Sequence, residues 1–384
     1  MSSDRMNADP IDVPRGLTNV VVTETAIGDV RGLEGFYHYR QYSAVELAGR
    51  RSFEDVAHLL LVGWLPDQQE SAAFRDRLAA ARALPDGVAE LLPGVARLVA
   101  QGDRLAGLRM AVAGVGAEDG MPALYDASEE RRLADAIRLV AVTPVILAAL
   151  HRLNNGRDPV APDPGLGHVA DYLRMIDGTP PDARRERAIS AYLVAAIDHG
   201  FNASTFTTRV IASTGSDLAS AVVGGLGALS GPLHGGAPSR ALDTLDAIGS
   251  PDRVDAYVRQ AIERGDRIMG FGHPVYRTED PRSVLLRGVA AGFGGARYEL
   301  ARQVELAVLR SLEELKPGRA LHTNLEYYAA LVMELSGLPR EMFTPTFAVG
   351  RMAGWTAHAL EQARDPKIIR PSSRYVGPAA PQPF

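Results

Sequence analysis

Apolar residues recur at the three-to-four-residue spacing of an amphipathic helix over most of the 384 residues. The pattern predicts helices at about 67–84, 86–101, 128–153, 165–178, 183–199 and 203–213, then at 252–264, 281–291, 297–314, 325–336 and 341–362. Ser52-Phe-Glu-Asp55 stands close to a capping box ahead of Val56–Val62, and Gly63 and Pro66 close that helix. Residues 216–230, rich in Ala and Gly, read as a buried helix that lets backbones approach closely. Only Thr18–Ile27 alternates in the β-branched manner of a strand, with Phe36–Arg40 as its expected partner. The segments between helices are short and rich in Pro, Gly, Asn and Asp. Residues 1–16 read as a flexible arm and Gly377–Phe384 as an extended tail. No internal repeat or heptad array is present. The expected fold class is all-α with a short N-terminal β element.

Composition narrows the function classes. Apolar content of 46% and charged content of 23% are those of a soluble globular chain. There is no cysteine, so thiolate chemistry and disulfides are excluded, and the composition suits a reducing cytoplasm or is indifferent to compartment. A net charge of −5 offers no broad basic field for nucleic acid, so no nucleic-acid partner is expected. The longest apolar run, Leu139–Leu150, is too short to span a bilayer and contains Pro144, so no membrane partner is expected either. The first 16 residues resemble neither a signal peptide nor a transit peptide.

The candidate chemistry lies in glycine-rich turns. Of the 9 histidines, His234 stands in Leu229-Ser-Gly-Pro-Leu-His-Gly-Gly236 and His273 in Met269-Gly-Phe-Gly-His-Pro-Val-Tyr-Arg277. Each turn presents an imidazole, and His234, just ahead of a helix, is expected to be held neutral by the exposed N–H groups there. Arg277 and Arg282 beside His273 suit an anionic ligand, because guanidinium grips carboxylate or phosphate through paired hydrogen bonds. Asp198-His199, inside an apolar helix, reads as a structural polar pair. Glu326 falls in the first turn of a helix beginning Asn324-Leu-Glu-Tyr-Tyr328, where an acid is favoured by the dipole alone. Zinc spacing, a P-loop, a dinucleotide fingerprint and a nucleophile elbow are all missing.

Taken in order, Gly231-Pro-Leu-His-Gly-Gly236, Gly270-Phe-Gly-His-Pro-Val-Tyr-Arg277 with Asp280-Pro-Arg282, and Asn324-Leu-Glu-Tyr-Tyr328 resemble the three catalytic segments of citrate synthase. Thr23–Ile27, Ser52–Val56, Asn202–Thr205, Phe343–Ala348, Arg351–Trp355, Ile368–Pro371 and Tyr375–Gly377 are similar to that family as well. The resemblance implies a two-domain helical homodimer, with a large domain of residues 1–235 and 338–384 and a small domain of 236–337. It implies condensation of acetyl-CoA with oxaloacetate and hydrolysis of citryl-CoA, without metal or redox cofactor. It makes Glu326 the base, His234 the donor to the thioester oxygen and His273 the partner of the oxaloacetate ketone. His199, Arg282 and Arg351 would hold oxaloacetate carboxylates, with Arg370 supplied across the dimer. Gly270, Phe271, Gly272, Arg277 and Asn324 would contact CoA. Three departures stand out: Glu326 where the family usually has aspartate, Ala237-Pro238 in place of Ala-Asn, and Gly200 in place of a glutamate. A methylene moves a carboxylate by about 1.5 Å, and a misplacement of that order costs roughly 100-fold in rate. A 2-methylcitrate synthase using propionyl-CoA, or a low-activity binder of acyl-CoA or oxaloacetate, are the alternatives.

Overall fold

The computed structural model describes residues 11–100, 102–234, 238–266, 268–273, 275–315 and 321–382, without the side chains of 238–240. Gly235 and Ala237 of the first glycine turn, Pro274 of the second and the expected domain boundary at 235–236 therefore lie outside the described residues, as does most of the expected N-terminal arm.

Helices dominate, as the periodicity predicts. The first are α1 (Ala44–Arg50), α2 (Phe53–Val62), α3 (Gln68–Ala80), α4 (Asp86–Leu98), α5 (Arg104–Glu118) and α6 (Glu129–Asn154). Next come α7 (His168–Asp177), α8 (Ala183–Ala196), α9 (Ala203–Ala212) and α10 (Leu218–Leu229). The last are α11 (Pro238–Ile248), α12 (Val254–Arg264), α13 (Pro281–Phe293), α14 (Gly295–Leu315), α15 (Leu325–Leu335) and α16 (Phe343–Gln362). Side-chain caps satisfy the first N–H groups of most of them. Ser52 Oγ accepts from Asp55 N, while the full reciprocal box forms at Asp67 and Glu70.

The sequence pattern misses α5. Its glycines hide the periodicity but permit its packing: a Cβ on Gly116 would stand 2.4 Å from Ala219 Cβ on α10, and one on Gly107 2.8 Å from Leu150 on α6. The strand expectation needs correction too. The sheet is β1 (Gly28–Arg31), β2 (Phe36–Tyr39) and β3 (Tyr42–Ser43), antiparallel in that order. The expected partner pairs, with Gly28 opposite Tyr39, but Thr18–Ile27 forms no strand. Near its end, side chains take the backbone of Ala26: its N donates to Glu361 Oε1 at 2.7 Å, and its O accepts from Arg40 Nη1 at 3.2 Å.

At the centre lies α6, sheathed by α16, α4, α5 and α7. By length and composition it could cross a membrane, yet 83% of its apolar window is buried in the protein. Helix α16 also crosses α2, α8, α9 and α10. Its Gly354 permits the closest approach, since a Cβ there would stand 2.2 Å from Ile197 O. That crossing sets Asp198 and His199 at the end of α8 against α16. Helices α12 and α14 pack on each other, as do α13 and α15, and α13 and α15 also lean on α8.

Candidate active site

His234 follows α10 in a turn closed by its own N–H on Gly231 O at 3.0 Å. Its Nε2 lies 2.8 Å from Ser204 Oγ in the first turn of α9. Asn202, the α9 cap, and Trp355 of α16 also reach Ser204. The other ring nitrogen, Nδ1, makes no hydrogen bond among the described residues. Burial and then the charge of Arg351 lower the His234 pKa to about 4, so the ring is neutral, as expected. The cause differs from the expectation: desolvation and a nearby guanidinium act, where a helix start was invoked.

The second turn is tied to the third segment. Phe271 and Thr323 form an isolated antiparallel bridge. Gly272 N donates to His322 O at 2.8 Å, Asn324 N to Gly270 O at 2.9 Å, and Asn324 Nδ2 to Gly272 O at 3.0 Å. Gly270 has φ +84°, and a Cβ there would meet Tyr327 at 2.8 Å, so only glycine fits. His273 and Glu326 thus ride on one braced unit. Asn324 Oδ1 caps α15 by accepting from Glu326 N at 3.0 Å.

His273 Nδ1 accepts from Val275 N at 3.1 Å and Tyr276 N at 3.3 Å, so the proton of the neutral ring sits on Nε2. Arg282 Nη2 comes within 3.1 Å of that same Nε2. Two donors converge there, and an acceptor on a ligand would satisfy both. Burial, then Arg282, holds the His273 pKa at about 4. Asp280 fixes Arg282 through Oδ1 and Oδ2, at 2.9 Å and 2.8 Å, and accepts Leu325 N at 3.1 Å. Burial alone would weaken the Arg282 cation, but Asp280 outweighs it and the pKa rises.

His199 packs edge-on against His273, with ring centroids 5.5 Å apart; its Nε2 meets Tyr276 Oη at 2.9 Å, and burial followed by Arg282 pushes its pKa well down. Arg351 donates Nε to Ala196 O at 2.8 Å and lies over Phe347. Asp198 is structural, as its sequence setting suggests: its carboxylate stands 3.3 Å from His358 Nε2. Burial raises its pKa, but His358 and Arg351 outweigh that and lower it.

These side chains surround a cavity of about 600 Å³. His199, His234, His273, Arg282, Glu326 and Arg351 all line it, with Gly272 and Asn324. Arg277 instead lines an adjoining cavity of about 110 Å³ with Gly272 and His322. Gly270 and Phe271 line neither; Phe271 is buried against the Tyr327 ring. Arg370 is exposed and outside both cavities. Sequence reasoning missed Ser204, Tyr192, Tyr276 and Phe347, and it gave Asn202 and Trp355 no role. It expected a hairpin but gave it no part in the site, although Asp29 and Val30 line the cavity and Gly32 O accepts Arg277 N at 3.1 Å. Gly200 explains one departure. Its φ is +58°, and a Cβ would stand 3.2 Å from Val30 Cγ2, so Val30 fills the space a longer side chain would need.

The family model described as "Citrate synthase, C-terminal domain" matches residues 16–372. A citrate synthase of Haloferax volcanii is 38% identical over 371 residues, 95% of this chain and 96% of that protein. A 2-methylcitrate synthase of Mycobacterium tuberculosis is also 38% identical, over 95% of this chain and 91% of its own length. The solved ternary complex of carboxymethyl coenzyme A and oxaloacetate with the Thermoplasma acidophilum citrate synthase superposes with a TM-score of 0.87 at 28% identity, covering 97% of this chain and 98% of that one.

Proposed function

This chain belongs to the citrate synthase family and is an acyltransferase of that type, which needs no cofactor, and we propose that its cleft joins acetyl-CoA to oxaloacetate through the residues below. The observation that carries the reading is the convergence of Glu326, His234, His273, Arg282, His199 and Arg351 on one cavity.

In this reading Glu326 takes a proton from the acyl methyl group, and His234 donates a hydrogen bond to the thioester oxygen as the enolate forms. The enolate carbon attacks the ketone carbon of oxaloacetate. His273 gives its Nε2 proton to the developing alkoxide, with Arg282 beside it, forming the hydroxyl of citryl-CoA, and regains a proton from water during the hydrolysis that follows. Water then cleaves the thioester to citrate and free CoA thiol. His199, Arg282 and Arg351 hold the oxaloacetate carboxylates. Gly270–Gly272, Arg277 and Asn324 receive CoA, with Gly270 and Phe271 acting through backbone.

The same proposal takes the protein as a cytoplasmic homodimer of two-domain subunits, divided at about 235–236 and 337–338. Arg370, exposed and outside its own cavity, is free to reach a partner's. Exposed Leu91, Leu98 and Met110 on α4 and α5 offer an apolar face for pairing. Propionyl-CoA is the second reading, favoured by the equally similar 2-methylcitrate synthase and by small Ala329 in the cavity wall. Release of CoA thiol from acetyl-CoA and from propionyl-CoA, each with oxaloacetate, tests both. A higher kcat/KM for acetyl-CoA supports the first reading, a preference for propionyl-CoA supports the second, and no thiol release with either overturns both.

A further inference from the structure

Ser204 Oγ is fully buried and has three polar neighbours but only one proton to give. Trp355 Nε1, 3.0 Å away, can only donate. Asn202 Oδ1, 2.8 Å away, can only accept. The orientation of that amide is fixed, because Oδ1 also accepts Thr205 N at 3.1 Å while Nδ2 donates to Thr205 Oγ1 at 3.0 Å. The third neighbour is His234 Nε2 at 2.8 Å, which donates or accepts according to its tautomer.

All three contacts are satisfied together in one arrangement. Ser204 donates to Asn202, accepts from Trp355, and accepts from a protonated His234 Nε2. His234 then shows the cavity a bare Nδ1 lone pair and cannot donate to a thioester oxygen. The alternative gives the serine proton to His234 Nε2 and puts the ring proton on Nδ1. It leaves two acceptors, Ser204 Oγ and Asn202 Oδ1, facing each other at 2.8 Å. That arrangement requires Asn202 to draw back.

We propose that Asn202 is a positioning residue that competes with His234 for the single Ser204 proton and so decides which ring nitrogen of His234 carries hydrogen. Asn202 Nδ2 reaches His199 O at 3.4 Å and Gly200 O at 3.3 Å, on the segment that bears the cavity-lining His199. A ligand that shifts His199 shifts Asn202 as well. An acyl-CoA that arrives before the keto acid therefore meets a His234 unable to stabilise its enolate. The inference rests on the role of His234 proposed above.

Ring-nitrogen chemical shifts of isotope-labelled histidine test it in the intact protein, with His234 assigned from a His234→Asn variant. The wild type is expected to show His234 protonated on Nε2, and Asn202→Gly, which keeps an acceptable helix cap, on Nδ1. Asn202→Ser, whose shorter side chain still caps α9 but draws back from Ser204, is expected to shift the same way. Exchange of acetyl-CoA methyl hydrogens with deuterated water, without oxaloacetate, is expected to rise at least tenfold in both variants. Wild-type His234 shifts in both variants, or a wild type already protonated on Nδ1, overturns the proposal. Moved shifts with unchanged exchange overturn the link to acyl activation. If wild-type protein turns over no acyl-CoA at all, the functional reading fails while the shifts still decide the proton's place.

Discussion

Arg282 Nη2 stands 3.1 Å from His273 Nε2, a donor facing a ring nitrogen that itself carries hydrogen because two backbone N–H groups occupy Nδ1. With the ring proton on Nε2 both groups are donors, and an acceptor placed beside the two nitrogens would take a hydrogen bond from each. The site is therefore built around an oxygen it does not supply, and the grip of Asp280 prevents Arg282 from turning away.

Replacing Arg282 by Lys keeps a charge but loses the planar fork that meets Asp280 and a ligand at once. Asp280 is 1% exposed and would lose its paired partner. Oxaloacetate affinity is expected to fall tenfold to roughly 100-fold, the scale of a lost charge-assisted hydrogen bond. Calorimetric titration with oxaloacetate checks this; wild-type affinity in the variant would remove Arg282 from the substrate site.

The histidines fix the pH dependence. His234 and His273 have pKa values lowered from 6.5 to about 4, and His151 is lowered likewise. In the unfolded chain they bind protons at a higher pH than in the fold. Their contribution to stability is therefore full above 6.5 and is lost as pH falls toward 4. Tm is expected to drop steadily from pH 7 to pH 5, while kcat/KM over that range shows no inflection near 6.5. An acid limb centred at 6.5 would mean that at least one of the two rings is not held neutral in the fold.

Much of this arrangement is legible in the sequence. Helical periodicity gives nearly every helix, because amphipathic faces must find the core. It fails at α5, where Gly107, Gly114 and Gly116 replace the apolar stripe with close backbone contact. It misplaces the first strand, which starts only at Gly28; just before it the backbone of Ala26 is bound by the side chains of Glu361 and Arg40, partners the sequence does not point to. Glycine turns announce His234 and His273. They cannot announce Ser204 or Tyr276, whose roles come only from what the fold lays beside them. Val30 could not be paired with Gly200 from the sequence either, since that contact crosses from the hairpin to the end of α8.

Gly354 should tolerate no side chain. An alanine methyl there would stand 2.2 Å from Ile197 O, a backbone atom that cannot rotate away. Overpacking of this kind costs about 1–3 kcal/mol. The helix crossing would open next to Asp198 and His199, so Gly354→Ala is expected to lower Tm and raise the KM for oxaloacetate together. A lower Tm with unchanged KM would show that His199 is placed independently of this crossing.

Glu326 is the member of the set most sensitive to length. It rides on α15, whose first turn is braced to Gly270 and Gly272 through Asn324. Glu326→Asp draws the carboxylate back by about 1.5 Å on that braced backbone, and kcat is expected to fall about 100-fold. Glu326→Gln is expected to abolish turnover while leaving oxaloacetate binding intact. Full activity in Glu326→Gln would show that another group removes the methyl proton.

Tyr192 carries the last prediction because two effects of opposite sign meet in it. The residue is fully buried, lines the cavity, and its hydroxyl has no hydrogen-bond partner among the described residues. Burial raises its pKa, so the group stays a neutral donor. An unsatisfied buried hydroxyl costs about 1–3 kcal/mol, and Tyr192→Phe removes it without changing the ring. The free variant is therefore expected to have a higher Tm than wild type. If the hydroxyl waits for a substrate oxygen beside Arg351, the same variant has a raised KM for oxaloacetate with kcat little changed. Thermal melting without ligand and steady-state kinetics separate the two effects. A higher Tm with wild-type KM would make Tyr192 a strained wall residue, and a lower Tm would show that the hydroxyl already has a partner in the folded chain.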